Sequence, residues 1–148
     1  MPTVEDTFIE NRSRIQPNHT NNYGTAHGGN VMKWMDEVGV MSAMRFAGET
    51  CVTAGVAKMD FRRPIPVGSI ALIEAYVYEA GRTSVRVRVR ASREDPLTGE
   101  AAPTTESLFV FVAIHDGEPT PVPDLTIESE TDRRLHAAAI EQSERDGV

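Results

Sequence analysis

Between residues 30 and 46 the chain is mostly Val, Met, Trp, Ala and Gly, broken chiefly by Lys33, Asp36, Glu37, Ser42 and Arg45. A run of that length and texture predicts a helix buried on most of its sides, ending at Gly48. Downstream the period changes to two. Val85, Val87, Val89 and Ala91 alternate with Arg86, Arg88 and Arg90, the pattern of a half-buried strand whose arginines face solvent. Residues 51–61, 69–79 and 107–115 are also rich in Val, Ile, Tyr and Phe, and turn signals at 63–68, 80–82 and 95–99 separate the four strands. Such short connections require antiparallel neighbours. The fold class is therefore α+β, an antiparallel sheet wrapped around one long central helix.

The flanks carry weaker patterns. Residues 1–20 form a polar N-terminal segment with a short edge strand over 7–15, closed by Pro17 and the polar loop after it. Residues 117–148 form a C-terminal tail with Pro119, Pro121 and Pro123, then a short charged helix over 131–142 with too few apolar residues to demand burial. With 148 residues, 40% of them hydrophobic, the chain suits one domain.

A net charge of −7, with only Lys33 and Lys58 among the lysines, argues against nucleic acid or an anionic membrane surface as partner. No apolar run approaches the roughly 18 to 20 residues of a membrane span, and the first residues lack a basic region followed by an apolar one. The expected location is the cytoplasm. Cys51 has no partner for a disulfide and reads as a small buried hydrophobe. His19, His115 and His136 are scattered, so no metal is expected.

The candidate chemistry lies where loop meets helix. Gly24, Gly28 and Gly29 allow a tight turn and close approach to a ligand, and the helix start after them leaves amide N–H groups free to stabilise an oxyanion. The alternative is that these glycines only pack a loop. Asp36, two turns into the helix among Met32, Gly39 and Val40, is suited to act as general base on water or to attack a thioester or ester directly. Against this stand a surface position, and pairing with Lys33, which also precedes Glu37 by four residues. His27 reads as a loop-fixing residue. No Gly-x-Ser-x-Gly elbow occurs, and serine or cysteine hydrolase mechanisms do not fit.

Asn21, Gly24, His27, Gly28 and Gly29 combine with Lys33 to Asp36, Arg45 to Gly48, Cys51 to Ala54, Phe61, Pro64, Val67, Gly68, Gly81 to Ser84 and Phe109 to Ala113. Over roughly residues 8–115 this set resembles the hotdog-fold acyl-CoA thioesterases, in the acyl-CoA hydrolase branch that includes YciA-type enzymes and the vertebrate cytosolic acetyl-CoA and brain acyl-CoA hydrolases. The resemblance implies a single hotdog domain over 8–116 and hydrolysis of acyl-CoA without cofactor, coenzyme A being part of the substrate. It implies Asp36 as base or nucleophile from one subunit, and Asn21 with a backbone N–H near Gly28 from the facing one. Asn22 competes with Asn21, whose distance from Gly24 favours it. Coenzyme A contacts map onto Ala54, Gly55 and Val56 and onto Thr83, Ser84 and Val85, with Arg82, Arg62 or Arg63 supplying positive charge. A homodimer is the implied minimum and a hexamer, a trimer of dimers, the implied assembly. The rival reading is a hotdog module that binds or senses acyl-CoA without turnover.

Overall fold

The computed structural model describes residues 1–148. After a 3-10 turn at Glu5–Thr7, strand β1 (Ile9–Arg14) leads through the loop to helix α1 (Gly28–Ala47), then β2 (Thr50–Val56), β3 (Ile70–Ala80), β4 (Ser84–Glu94), β5 (Ala101–His115), the two-residue β6 (Glu118–Pro119) and helix α2 (Glu130–Asp146). The sheet is antiparallel in the order β1-β3-β4-β5-β2, with β6 added at the end of β5. The expected α+β arrangement is observed, and β1 and β2 are its free edges. Neither helix is long and apolar enough to cross a membrane.

Helix α1 starts two residues earlier than the apolar run because His27 caps it, its Nδ1 accepting from the Gly29 N–H at 3.2 Å. Gly48, in the left-handed region at φ 67°, ends it. Val31, Met35, Val38, Gly39, Ser42, Ala43 and Phe46 are buried, one stripe at helical spacing. Burial on most sides, as the run of apolar residues suggested, does not occur within one chain, since Met32 and Met41 are exposed. The stripe lies on Val85, Val87, Val89, Phe109 and Phe111 of the sheet, all fully buried. The approach is closest at Gly39, where a Cβ would lie 3.1 Å from both Phe111 and Val89.

Three elements depart from the sequence pattern. Strand β2 stops at Val56, so residues 57–61 are not strand. The arginines of β4 are not a solvated face: Arg88, whose side chain is 13% exposed, donates from Nε to Gln142 of α2 at 2.7 Å. The helix expected to need no burial packs on the outer face of the sheet, with Ala139 and Gln142 buried and its Leu135 carbonyl accepting from Tyr76 at 2.6 Å. Asp132 completes the attachment by accepting the backbone N–H groups of Glu5, Glu128 and Ser129. Burial alone would raise this carboxyl, but those hydrogen bonds hold it below the ordinary aspartate value.

Candidate active site

The loop before α1 is organised by one side chain. Oδ1 of Asn21 accepts from the Tyr23 N–H at 2.9 Å and the Thr25 hydroxyl at 3.2 Å, while the Asn21 N–H donates to the Thr25 carbonyl at 2.9 Å. Gly24, at φ 73°, supplies the left-handed backbone that closes the turn. The Asn21 Nδ2 is left without a protein partner. Asn21 and Gly28 line the same open groove of about 370 Å³, together with Phe61, Arg62, Arg63 and Thr104. Asn22 is exposed and lies outside this lining.

Gly28 is the first residue of α1, and its N–H donates to nothing. The helix dipole adds to that unpaired donor, making this end of the groove receptive to negative charge. Phe61 covers it, with ring atoms 3.7 Å from where a Gly28 Cβ would be. Two guanidinium groups also line the groove: Arg63, without a carboxylate partner, donates from Nη1 to the Pro103 carbonyl at 2.6 Å, and Arg62 donates to Glu106 at 3.3 Å.

Asp36 is not in this groove. Half-buried on α1, it accepts at Oδ1 from the Thr53 hydroxyl of β2 at 2.5 Å. Lys33 forms an ion pair with neither Asp36 nor Glu37, so the simple surface pairing does not form. Thr53 immediately precedes a register shift in β2 that leaves Ala54 as the extra residue opposite β5, a bulge that aims the hydroxyl at the helix. In the sequence the only signal for Thr53 is its place two residues after Cys51, on the helix-facing side of that strand. Eight residues along α1 separate Gly28 from Asp36, about 12 Å at the helical rise.

The residues tied by resemblance to coenzyme A are dispersed. Ala54, Gly55 and Val56 lie on the free edge strand, mostly exposed. Arg82, Thr83 and Ser84 lie on the β3–β4 hairpin: Ser84 faces Val112 of β5, which faces Val52 of β2, so the two groups are two strands, about 10 Å, apart across the sheet and further offset along it. Val85 is fully buried beneath α1 and paired on both sides within the sheet, which gives it to the core rather than to a ligand. Cys51 is buried as expected, its thiol pushed up to about 11 by burial and then by Glu49. No three His, Cys, Asp or Glu side chains gather as a metal site would require.

A curled antiparallel sheet wrapped around one long helix defines the hotdog class, and this chain adds an acid on that helix and a free amide at its start. The thioesterase superfamily profile matches residues 23–100, and the chain belongs to that superfamily. It is 34% identical over 149 residues to the uncharacterized acyl-CoA thioester hydrolase YkhA of Bacillus subtilis, covering 97% of this chain and 87% of that protein. The acyl-CoA hydrolase of Staphylococcus aureus, solved with butyryl coenzyme A, coenzyme A and coenzyme A disulfide, superposes with a TM-score of 0.87 at 30% identity, over 97% of this chain and 88% of that one. Variants of that enzyme with an asparagine, an aspartate or a threonine replaced by alanine have similar structures. A hexameric acyl-CoA thioesterase gives a TM-score of 0.86 at 34% identity, covering 99% and 96% of the two chains.

Proposed function

We propose that the protein hydrolyses acyl-CoA to a free carboxylic acid and coenzyme A, at sites each completed by two copies of the chain. The separation of Gly28 from Asp36 carries this reading. An oxyanion donor and an attacking group must each lie about 3 Å from one carbonyl, whereas these two are about 12 Å apart along a rigid helix. Gly28 and Asn21 therefore serve one thioester, and Asp36 of the facing copy attacks it. Exposed Val52 and Val56 lie on the free β2 edge and, with Met32 on α1, suit burial in such a dimer.

In the reaction, the carbonyl oxygen of the thioester takes a hydrogen bond from the Gly28 N–H and from the Asn21 amide. Asp36, oriented by Thr53, removes a proton from water as the water oxygen bonds to the carbonyl carbon, or attacks that carbon itself with water then releasing the acid. In the first route the C–S bond breaks and Asp36 returns the proton it took from water to the coenzyme A sulfur. In the second the C–S bond breaks as Asp36 forms a mixed anhydride and coenzyme A leaves as thiolate, and water then splits the anhydride to free acid and ionised Asp36, its proton going to the thiolate. The alanine variants of the Staphylococcus aureus enzyme support the assignment: their asparagine, aspartate and threonine are spaced fifteen and seventeen residues apart, as are Asn21, Asp36 and Thr53.

Coenzyme A is held by Ala54, Gly55 and Val56, with Arg82, Thr83 and Ser84 of the hairpin or Arg62 and Arg63 of the groove meeting its phosphates. The chemistry calls for no cofactor, and the acidic chain for no nucleic acid or membrane. The assembly is a hexamer built from dimers, as the hexameric relatives support, and the location is cytoplasmic. Thiol release from acetyl, medium-chain and long-chain CoA esters tests the reading: turnover is expected, and Asp36→Ala should lower it at least about 100-fold. Tight binding without turnover would instead identify a sensing module.

A further inference from the structure

The densest cluster of charge outside the reaction centre lies beneath the C-terminal end of α2. Glu106 on β5, whose side chain is 12% exposed, receives three guanidinium groups. Arg88 reaches Oε2 at 3.0 Å, and Arg62 and Arg145 both reach Oε1 at 3.3 Å. Arg88 also donates to Gln142 at 2.7 Å and to the Tyr76 hydroxyl at 3.2 Å. Burial would raise the Glu106 carboxyl, but Arg88, Arg62 and Arg90 together hold it below the ordinary glutamate value. One ionised carboxylate thus joins the sheet, α2 and the segment between β2 and β3.

That segment is the groove wall. Residues 57–63 make no sheet ladder and are held to β5 by separate bonds: the Ala57 N–H to the Leu108 carbonyl at 3.0 Å, the Ser107 hydroxyl to the Ala57 carbonyl at 3.1 Å, and the Arg62 N–H to the Thr104 carbonyl at 2.9 Å. The Arg62 side chain runs along the groove lining and ends on Glu106, where it meets Arg145 of α2 on the same oxygen. Phe61 and Arg63, on either side of it, are the residues that cover Gly28 and flank the groove.

We infer that Glu106 is a positioning residue for substrate binding, setting Phe61, Arg62 and Arg63 according to how α2 is seated on the sheet. This rests on the hydrolytic reading of the groove. Because Glu106 touches neither Asp36 nor the Gly28 amide, its removal acts on substrate binding more than on the chemical step. Two like-charged arginines on one oxygen are also coupled: with Arg62 absent, Arg145 has nothing left to transmit.

The test uses Glu106→Gln, Arg62→Ala, Arg145→Ala and the double variant Arg62→Ala/Arg145→Ala in the full chain. Arg145 is half exposed on the helix, outside the groove, so Arg145→Ala should fold even if Glu106→Gln does not. Both single changes at Glu106 and Arg145 are expected to raise KM about threefold to tenfold, with a smaller change in kcat. Arg145→Ala should have no further effect once Arg62 is alanine. Hydrogen exchange of residues 57–63 in the substrate-free protein should quicken in Arg145→Ala, a readout that stands even if no acyl-CoA is turned over. Unchanged KM and unchanged exchange in folded Arg145→Ala, or strictly additive effects in the double variant, would overturn the inference. A wild-type protein without turnover would overturn the hydrolytic reading instead, while quickened exchange would still report the coupling.

Discussion

At the residue scale the account turns on the hydrogen bond between Thr53 and Asp36. It fixes one carboxylate oxygen and leaves the other free to meet water or thioester. Thr53→Val keeps the branched shape and removes the donor, so the protein should fold normally with kcat lowered roughly 10-fold to 100-fold, the range of a hydrogen bond to a charged group. An unchanged kcat in steady-state thiol release would mean that packing alone orients Asp36. Asp36 was legible as an anomaly, an acid in an apolar helix, whereas Thr53 was not: a threonine in a strand is ordinary, and the bulge that aims it follows from pairing with β5. Val85 shows the reverse case. Its place in the alternating pattern already marked it as core, and the structure sides with that pattern over the ligand contact implied by resemblance.

At the scale of elements, α1 and β4 were readable because each buries a stripe at its own period. The seating of α2 was not. Its apolar residues are few, and its attachment runs through polar anchors, Asp132 on three backbone N–H groups and Gln142 on Arg88, which leave no hydrophobic period. The hold of α1 on the sheet has its own test at Gly39. A valine there would drive its side chain into Phe111 and Val89, two buried residues that have little room to move. Gly39→Val should destabilise the fold by about 1 to 3 kcal/mol, read as a lower thermal midpoint, and should impair turnover because Asp36 lies one turn away on the same helix. A midpoint equal to that of wild type would show that α1 sits more loosely than the packing implies.

At the scale of the whole molecule, one chain is half of two things. Its free β2 edge and exposed Met32, Met41, Val52 and Val56 leave apolar surface unpaired, and its two sets of site residues face different places. The identity of those residues was legible in the loop, the glycines and the helix acid. Their division between facing copies came only from the resemblance, because a spacing of eight becomes a distance once the intervening residues are known to be unbroken helix. The most direct measurement is thiol release by mixed oligomers of Asp36→Ala and Asn21→Ala subunits, each inactive alone. With sites shared between facing copies, random mixing gives half of the dimers one intact site of two, and activity is expected to return to about a quarter of wild type. No activity above the separate parents, in oligomers verified to be mixed, would contradict the shared site.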